Sequence, residues 1–248
     1  MTSRCRYRYP RAGRAMTSSQ CQHGASLIVT LLMLVVIMML GISTASIAIQ
    51  GEKAARSDRD RHVAWNAAQN ALADAELDIE ASPDPARSRS MLFSRTSTTG
   101  FPSASEENCH TIASAYFGLC RKAVAPAVPT WLDVDFAEAG ADARTVPYGT
   151  FTGRSMQTDT AALPRRLPRY IIELVISKPA ESTTAVIDHV YRISAVGFGI
   201  RESTRVMLQT YYRKTASVTA PGSVAGGRLS WREVGNWQEM RHAALHDS

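Results

Sequence analysis

Ala25-Ser-Leu-Ile-Val-Thr-Leu-Leu-Met-Leu-Val-Val-Ile-Met-Met-Leu-Gly-Ile-Ser-Thr-Ala-Ser-Ile-Ala-Ile-Gln50 contains no charged residue. Leucine, isoleucine, valine, methionine and alanine fill most of its positions. A helix of that length rises about 1.5 Å per residue and reaches roughly 39 Å, beyond the ~30 Å hydrocarbon core of a bilayer. The apolar run of a secretory signal is usually only about 7–15 residues, so this stretch reads as a membrane helix. Arg4, Arg6, Arg8, Arg11 and Arg14 precede it without an acid, whereas Glu52, Lys53, Arg56, Asp58, Arg59, Asp60 and Arg61 mix both signs after it. The positive-inside rule then places the N-terminus in the cytoplasm and everything after the helix outside.

That topology explains the net charge. The chain of 248 residues carries 28 basic and 22 acidic side chains; without the five leader arginines the balance is 23 to 22. The basicity belongs to the leader and argues against a nucleic-acid partner. The cysteines divide in the same way. Cys5 and Cys21 lie in the leader, on the reducing side, while Cys109 and Cys120 fall in the exported part and read as a disulfide, the alternative being two free thiols. Met16 competes with Met1 as the true start.

Residues 1–24 form a leader, 25–50 the membrane helix and 51–82 an amphipathic helix. In the last of these, Ala64, Ala68, Ala71, Leu72, Ala75 and Ile79 make one apolar stripe, widened by Trp65 and Leu77, with charge on much of the opposite face. No proline interrupts the chain before Ser82-Pro83-Asp84-Pro85, which stops the helix; Gly41 and Gly51 are points where it could bend. Residues 83–168, rich in proline, serine and threonine, read as an irregular connection pinned by Cys109–Cys120. Tyr170–Ile176, Ile187–Val196 and Ser203–Tyr212 alternate as strands, joined by a turn at Gly197-Phe-Gly-Ile-Arg201. Arg228-Leu-Ser-Trp-Arg-Glu-Val234 reads as an edge strand after the Gly222–Gly227 link. An antiparallel sheet over 169–234, a tail at 235–248 and an α+β fold in which the helix stripe covers one sheet face follow from this pattern.

The junction His23-Gly24-Ala25-Ser26-Leu27-Ile28 ends a basic leader with a glycine on the cytoplasmic side of the apolar run. An ordinary anchor with a chance glycine would look the same. The residues that follow narrow the choice. Gly24-Ala-Ser-Leu-Ile-Val-Thr-Leu-Leu-Met resembles the N-terminal motif of type IV pilins. Glu52-Lys-Ala-Ala55, Asp58-Arg-Asp-Arg61, Ala64-Trp-Asn-Ala-Ala68 and Ala71-Leu-Ala-Asp-Ala-Glu76 are similar to the PilX family of minor pilins. Tyr191-Arg-Ile-Ser-Ala195, Val206–Arg213 and Leu229-Ser-Trp-Arg-Glu233 also resemble it. The likeness is strong over residues 24–80, moderate over 187–234 and not visible between them.

The resemblance implies a pilin-like fold, cleavage after Gly24 by prepilin peptidase, and methylation of the Ala25 amine. It implies a mature subunit that primes pilus assembly with other minor pilins and the major pilin, near the tip, with a possible tip adhesin, in support of twitching motility and adhesion. It implies no enzymatic activity and no cofactor. Val29 departs from the pilin pattern, which has glutamate five residues after the cut. In major pilins that carboxylate pairs with the amine of a subunit already in the fibre; an apolar residue there suits an initiating or tip subunit. A K-like minor pseudopilin of type II secretion shares both features, although its domain is usually larger. An unrelated single-pass anchored periplasmic protein is the third reading.

Other motifs carry less. Gly197-x-Gly199 lacks the third glycine of a dinucleotide loop and opens no helix. Cys109-His110 could be a thiol nucleophile, but the exported location favours the disulfide. Asp133, Asp135 and Glu138 hint at Ca²⁺ but lack the glycine and third ligand of an EF-hand, so they read as a solvated acidic loop. Six histidines read as scattered, with no zinc-like set, and are expected to be surface or core residues. Asp58-Arg59-Asp60-Arg61 reads as a solvated or subunit-pairing helix face. Ser26, Thr30, Ser43, Thr44 and Ser46 suit close helix packing in the membrane.

Overall fold

The computed structural model describes residues 25–103, 105–160, 162–177, 188–215 and 225–246. Gly24 and the rest of the leader, with Cys5, Met16 and Cys21, lie outside them, as do Ile187 and Gly222. Helix α1 runs from Ala25 to Glu80. The chain divides into two compact units, residues 1–53 and 54–248.

In the first unit, the described residues are helical throughout and their large apolar side chains are exposed: those from Leu27 to Ile49 range from 40% to 69%. No other described residue of that unit covers them.

The second unit is built on a six-stranded sheet. Its strands are β1 (Leu119–Arg121), β2 (Val146–Pro147), β3 (Arg169–Ser177), β4 (Asp188–Phe198), β5 (Arg205–Arg213) and β6 (Gly227–Val234). The order is β1-β3-β4-β5-β6, with β2 also pairing β3. The four long strands are antiparallel neighbours, and only β1 runs parallel to β3. Tyr170 faces Ala195, and Ala195 faces Leu208, so the period-two pattern puts all three on one face.

That face receives the helix. Ala64, Ala68, Ala71, Leu72, Ala75 and Ile79 are fully buried against Tyr170, Ile172, Tyr191, Ile193, Ala195 and Leu208. Alanines at the contact let the helix backbone approach the strands closely. The approach is tightest at Gly197: a Cβ there would lie 2.0 Å from the Ala64 carbonyl oxygen and 2.4 Å from the Ala68 nitrogen. Gly197 is therefore a contact residue inside β4, and the reversal of the chain occurs just after it, before Arg205. Leu77 is only half-buried.

The opposite face is covered too. Ile171, Val196, Phe198 and Met207 pack against Trp131, Leu132, Val134 and Phe136, around the short helix α2 (Thr130–Asp133), and against Trp237. Trp237 opens helix α3 (Trp237–His246), formed by residues whose sequence suggested only a tail. The buried Glu173 and Arg192 form a two-pronged ion pair across β3 and β4, at 2.5 and 2.8 Å. The fold is α+β, with a long N-terminal helix packed on a largely antiparallel sheet.

Candidate functional site

The N-terminal end of α1 offers one kind of surface. Ala25 is its first helical residue, and Val29 stands in the second turn with 54% of its surface exposed. Four hydroxyls of this segment do not need a partner helix. Thr30 donates to the Leu27 carbonyl at 2.9 Å, Ser43 to Met39 at 2.9 Å, Thr44 to Gly41 at 2.9 Å and Ser46 to Ser43 at 2.8 Å. Each is satisfied on its own helix, which makes the segment compatible with hydrocarbon. It is the one helix among the described residues that is long and apolar enough to cross a membrane.

From Asp60 onward the same helix offers anchors. Asp60 lies four residues before Ala64, on the buried stripe, and is itself buried. Its Oδ1 accepts the Ile200 and Arg201 amides at 2.5 and 3.2 Å, and its Oδ2 accepts the Thr204 hydroxyl at 2.6 Å. One carboxylate thus organises the whole β4–β5 turn. This corrects the reading of 58–61 as a solvated or subunit-pairing face at Asp60 alone; Asp58, Arg59 and Arg61 are exposed. Arg61 does reach outward, to the half-buried Glu233 of β6 at 2.5 Å, and is itself exposed.

Asp74 and Asp78 repeat the device. Asp74 accepts the Gly149 amide at 2.8 Å and the Thr152 hydroxyl. Burial pushes its carboxyl above the ordinary range, the Thr152 and Gly149 hydrogen bonds oppose that, and Asp78 one turn on pushes it further up. Asp78 accepts Arg89 Nη2 at 2.7 Å, Arg89 Nε at 3.0 Å and the Tyr170 hydroxyl at 3.0 Å. Arg89 also donates to the Phe117 carbonyl at 2.6 Å and lies 3.5 Å over the Phe151 ring. Burial and the facing carboxylates hold the Tyr170 phenol well above its usual range, so it stays a donor. Glu80 completes the series with the Tyr212 hydroxyl at 3.0 Å and the Thr215 amide at 2.7 Å.

Asp60, Asp74 and Asp78 therefore tie α1 to the β4–β5 turn, the 149–152 turn and the segment around Arg89. Sequence reading missed them as anchors, yet a signal was present. Asp60, Ala64, Ala71, Asp74, Ala75 and Asp78 share one helical stripe, so these acids fall inside the apolar face instead of opposite it.

The Asp74 environment predicts a pH effect. A carboxyl raised on folding binds a proton more tightly in the native state. Its contribution is fully present below its unfolded-state value and fades as pH rises through its folded one. The stability of the wild type relative to Asp74→Asn will therefore increase as pH falls from neutrality, measured by urea unfolding at a series of pH values.

Cys109 and Cys120 are joined, with Cα atoms 4.1 Å apart, both buried. A disulfide has no thiol to attack with, which removes the nucleophile reading of Cys109-His110. Closing this short loop stabilises by about 3 kcal/mol in the chain-entropy account. Replacing both cysteines by serine will lower the unfolding free energy by about that amount. Asp133 stands 3.5 Å from Arg144, and Asp135 accepts the Ala137 amide at 2.8 Å and stands 3.8 Å from Arg241. Among the described residues no three histidine, cysteine, aspartate or glutamate side chains converge as a metal cage. His242 and His246, however, stand one turn apart on α3, a pairing that the reading of the histidines as scattered overlooked.

Comparison with known proteins gives two matches. Residues 23–73 match the family described as PilX N-terminal, and residues 95–214 match the one described as Type IV pilus assembly protein PilX C-term. The second match extends well into 95–186, where the residues carry no visible likeness. No curated protein and no solved structure matches the chain. The two matches lie in family order along most of the chain, on a fold with the long helix and sheet expected of a pilin: the chain belongs to the PilX family of type IV pilus assembly proteins.

Proposed function

We propose that prepilin peptidase cuts this chain after Gly24 and methylates the amine of Ala25, and that the mature subunit primes type IV pilus assembly with other minor pilins. Before assembly it sits in the inner membrane by residues 25–50, N-terminus cytoplasmic and the 54–248 unit periplasmic. It then joins the major pilin in the fibre, near the tip, where it supports twitching motility and adhesion and can carry an adhesin. The observation that supports this most is the family match across residues 23–73, which spans the Gly24–Ala25 junction at the foot of an uncharged helix. The role is structural, carried by the helix and its anchors, with no catalytic step.

Val29 fits an initiating subunit. A carboxylate inside the membrane segment with no amine to pair with is costly. An apolar side chain carries no such cost and needs no neighbour. Val29→Glu is expected to reduce incorporation of the subunit into sheared pili; normal piliation with the variant still near the tip contradicts this account of Val29.

Deletion tests the whole reading. Loss of surface pili and twitching, restored by the intact gene, with type II secretion unchanged, supports the minor pilin. Loss of secretion with normal pili supports the pseudopilin reading. No change in either contradicts the priming role.

A further inference from the structure

Helix α3 ends in His242-Ala-Ala-Leu-His246. Residues four apart on a helix lie on the same face, one turn above the other. Here the two imidazole rings stand 4.2 Å apart, centroid to centroid, tilted by 48°, and both residues are exposed. The helix beneath them is fixed. Trp237 is buried and meets Phe136 edge-on at 6.3 Å, Met240 packs on the same cluster, and Arg241 Nε donates to the Leu132 carbonyl at 3.1 Å. The rings are thus brought together on a held platform beside a cleft of about 270 Å³ that Arg205, Gln238 and Leu245 also line.

We propose that His242 and His246 form a two-imidazole site for a borderline divalent transition-metal ion, Ni²⁺, Cu²⁺ or Zn²⁺. Imidazole nitrogen suits these ions, whereas Mg²⁺ and Ca²⁺ require oxygen donors. With no third protein donor converging among the described residues, water completes the coordination shell. The neighbouring cations have other partners: Arg241 lies 3.8 Å from Asp135, and Arg205 donates to the Glu202 carbonyl at 3.1 Å. Their remaining positive field disfavours ions held only by charge. It leaves those that form coordinate bonds to nitrogen. A bound ion links consecutive turns of α3 and so tightens the helix that covers the second sheet face.

The test is calorimetric titration of Ni²⁺ into the untagged, detergent-solubilised full chain at neutral pH, with Mg²⁺ in parallel. One Ni²⁺ per chain is expected at this site, with no Mg²⁺ uptake. Affinity should fall about a hundredfold in His242→Ala and in His246→Ala, the loss of a two-point attachment. A variant combining His246→Ala with Ala244→His keeps the histidine count but puts the second ring on another face; it should bind no better than His246→Ala. Equal affinity in wild type and His246→Ala, or full affinity in the displaced-histidine variant, overturns the proposal.

Discussion

Asp78→Ala is expected to lower the unfolding free energy by about 3–5 kcal/mol, the range for removing one partner of a buried ion pair. Asp78 is fully buried, and Arg89 is 6% exposed. The substitution leaves the guanidinium with the Phe117 carbonyl and the rings of Phe151 and Phe93, and it takes the acceptor from the Tyr170 hydroxyl. Most of the loss is the cost of these orphaned groups, and not the attraction between the ions. The double variant Asp78→Ala with Arg89→Met should therefore be more stable than the sum of its single variants predicts. Chemical unfolding of the four proteins completes the cycle. A loss under about 1 kcal/mol in Asp78→Ala would contradict the role given to this anchor.

Gly197→Val should cost at least about 4 kcal/mol, because the clash is with backbone and no rotamer relieves it. A Cβ at this position meets the Ala64 carbonyl oxygen at 2.0 Å and the Ala68 nitrogen at 2.4 Å, and Ala68 Cα at 3.0 Å. The helix must lift from the strand or β4 must bend away. Either movement separates Ala64 and Ala68 from Ile193 and Ala195, and draws Asp60 from the β4–β5 turn. Gly235→Ala is the matching control, since nothing lies within 4 Å of a Cβ there. Thermal unfolding of both variants gives the comparison; equal midpoints would contradict the close helix–sheet contact.

The two substitutions mark the limit of what the residues reveal in order. The stripe from Ala64 to Ile79 was legible because helical spacing is local and six apolar residues keep it. The strands at 170–176 and 203–212 were legible for the same reason, through period-two alternation and β-branched side chains. The role of Gly197 was not: nothing in a Gly-x-Gly pair tells a turn from a backbone contact whose partner lies more than a hundred residues away. Asp60 was lost in an alternating run of charges, which reads as solvated until the turn at 200–204 is brought to it. The second sheet face was hidden as well. Its cover comes from Trp131, Phe136 and Trp237, scattered through segments without periodicity, and α3 is too short to announce itself by an apolar stripe. The Cys109–Cys120 bridge followed from compartment and pairing arithmetic.

The measurement that tests the central claim most directly is the mass and N-terminal residue of the mature protein from membranes, with and without an active prepilin peptidase. The pilin account predicts N-methylated Ala25 at the N-terminus only when the peptidase is active, and the uncut leader when it is not. An intact leader in both strains would contradict processing at Gly24 and, with it, the incorporation of this chain into a pilus.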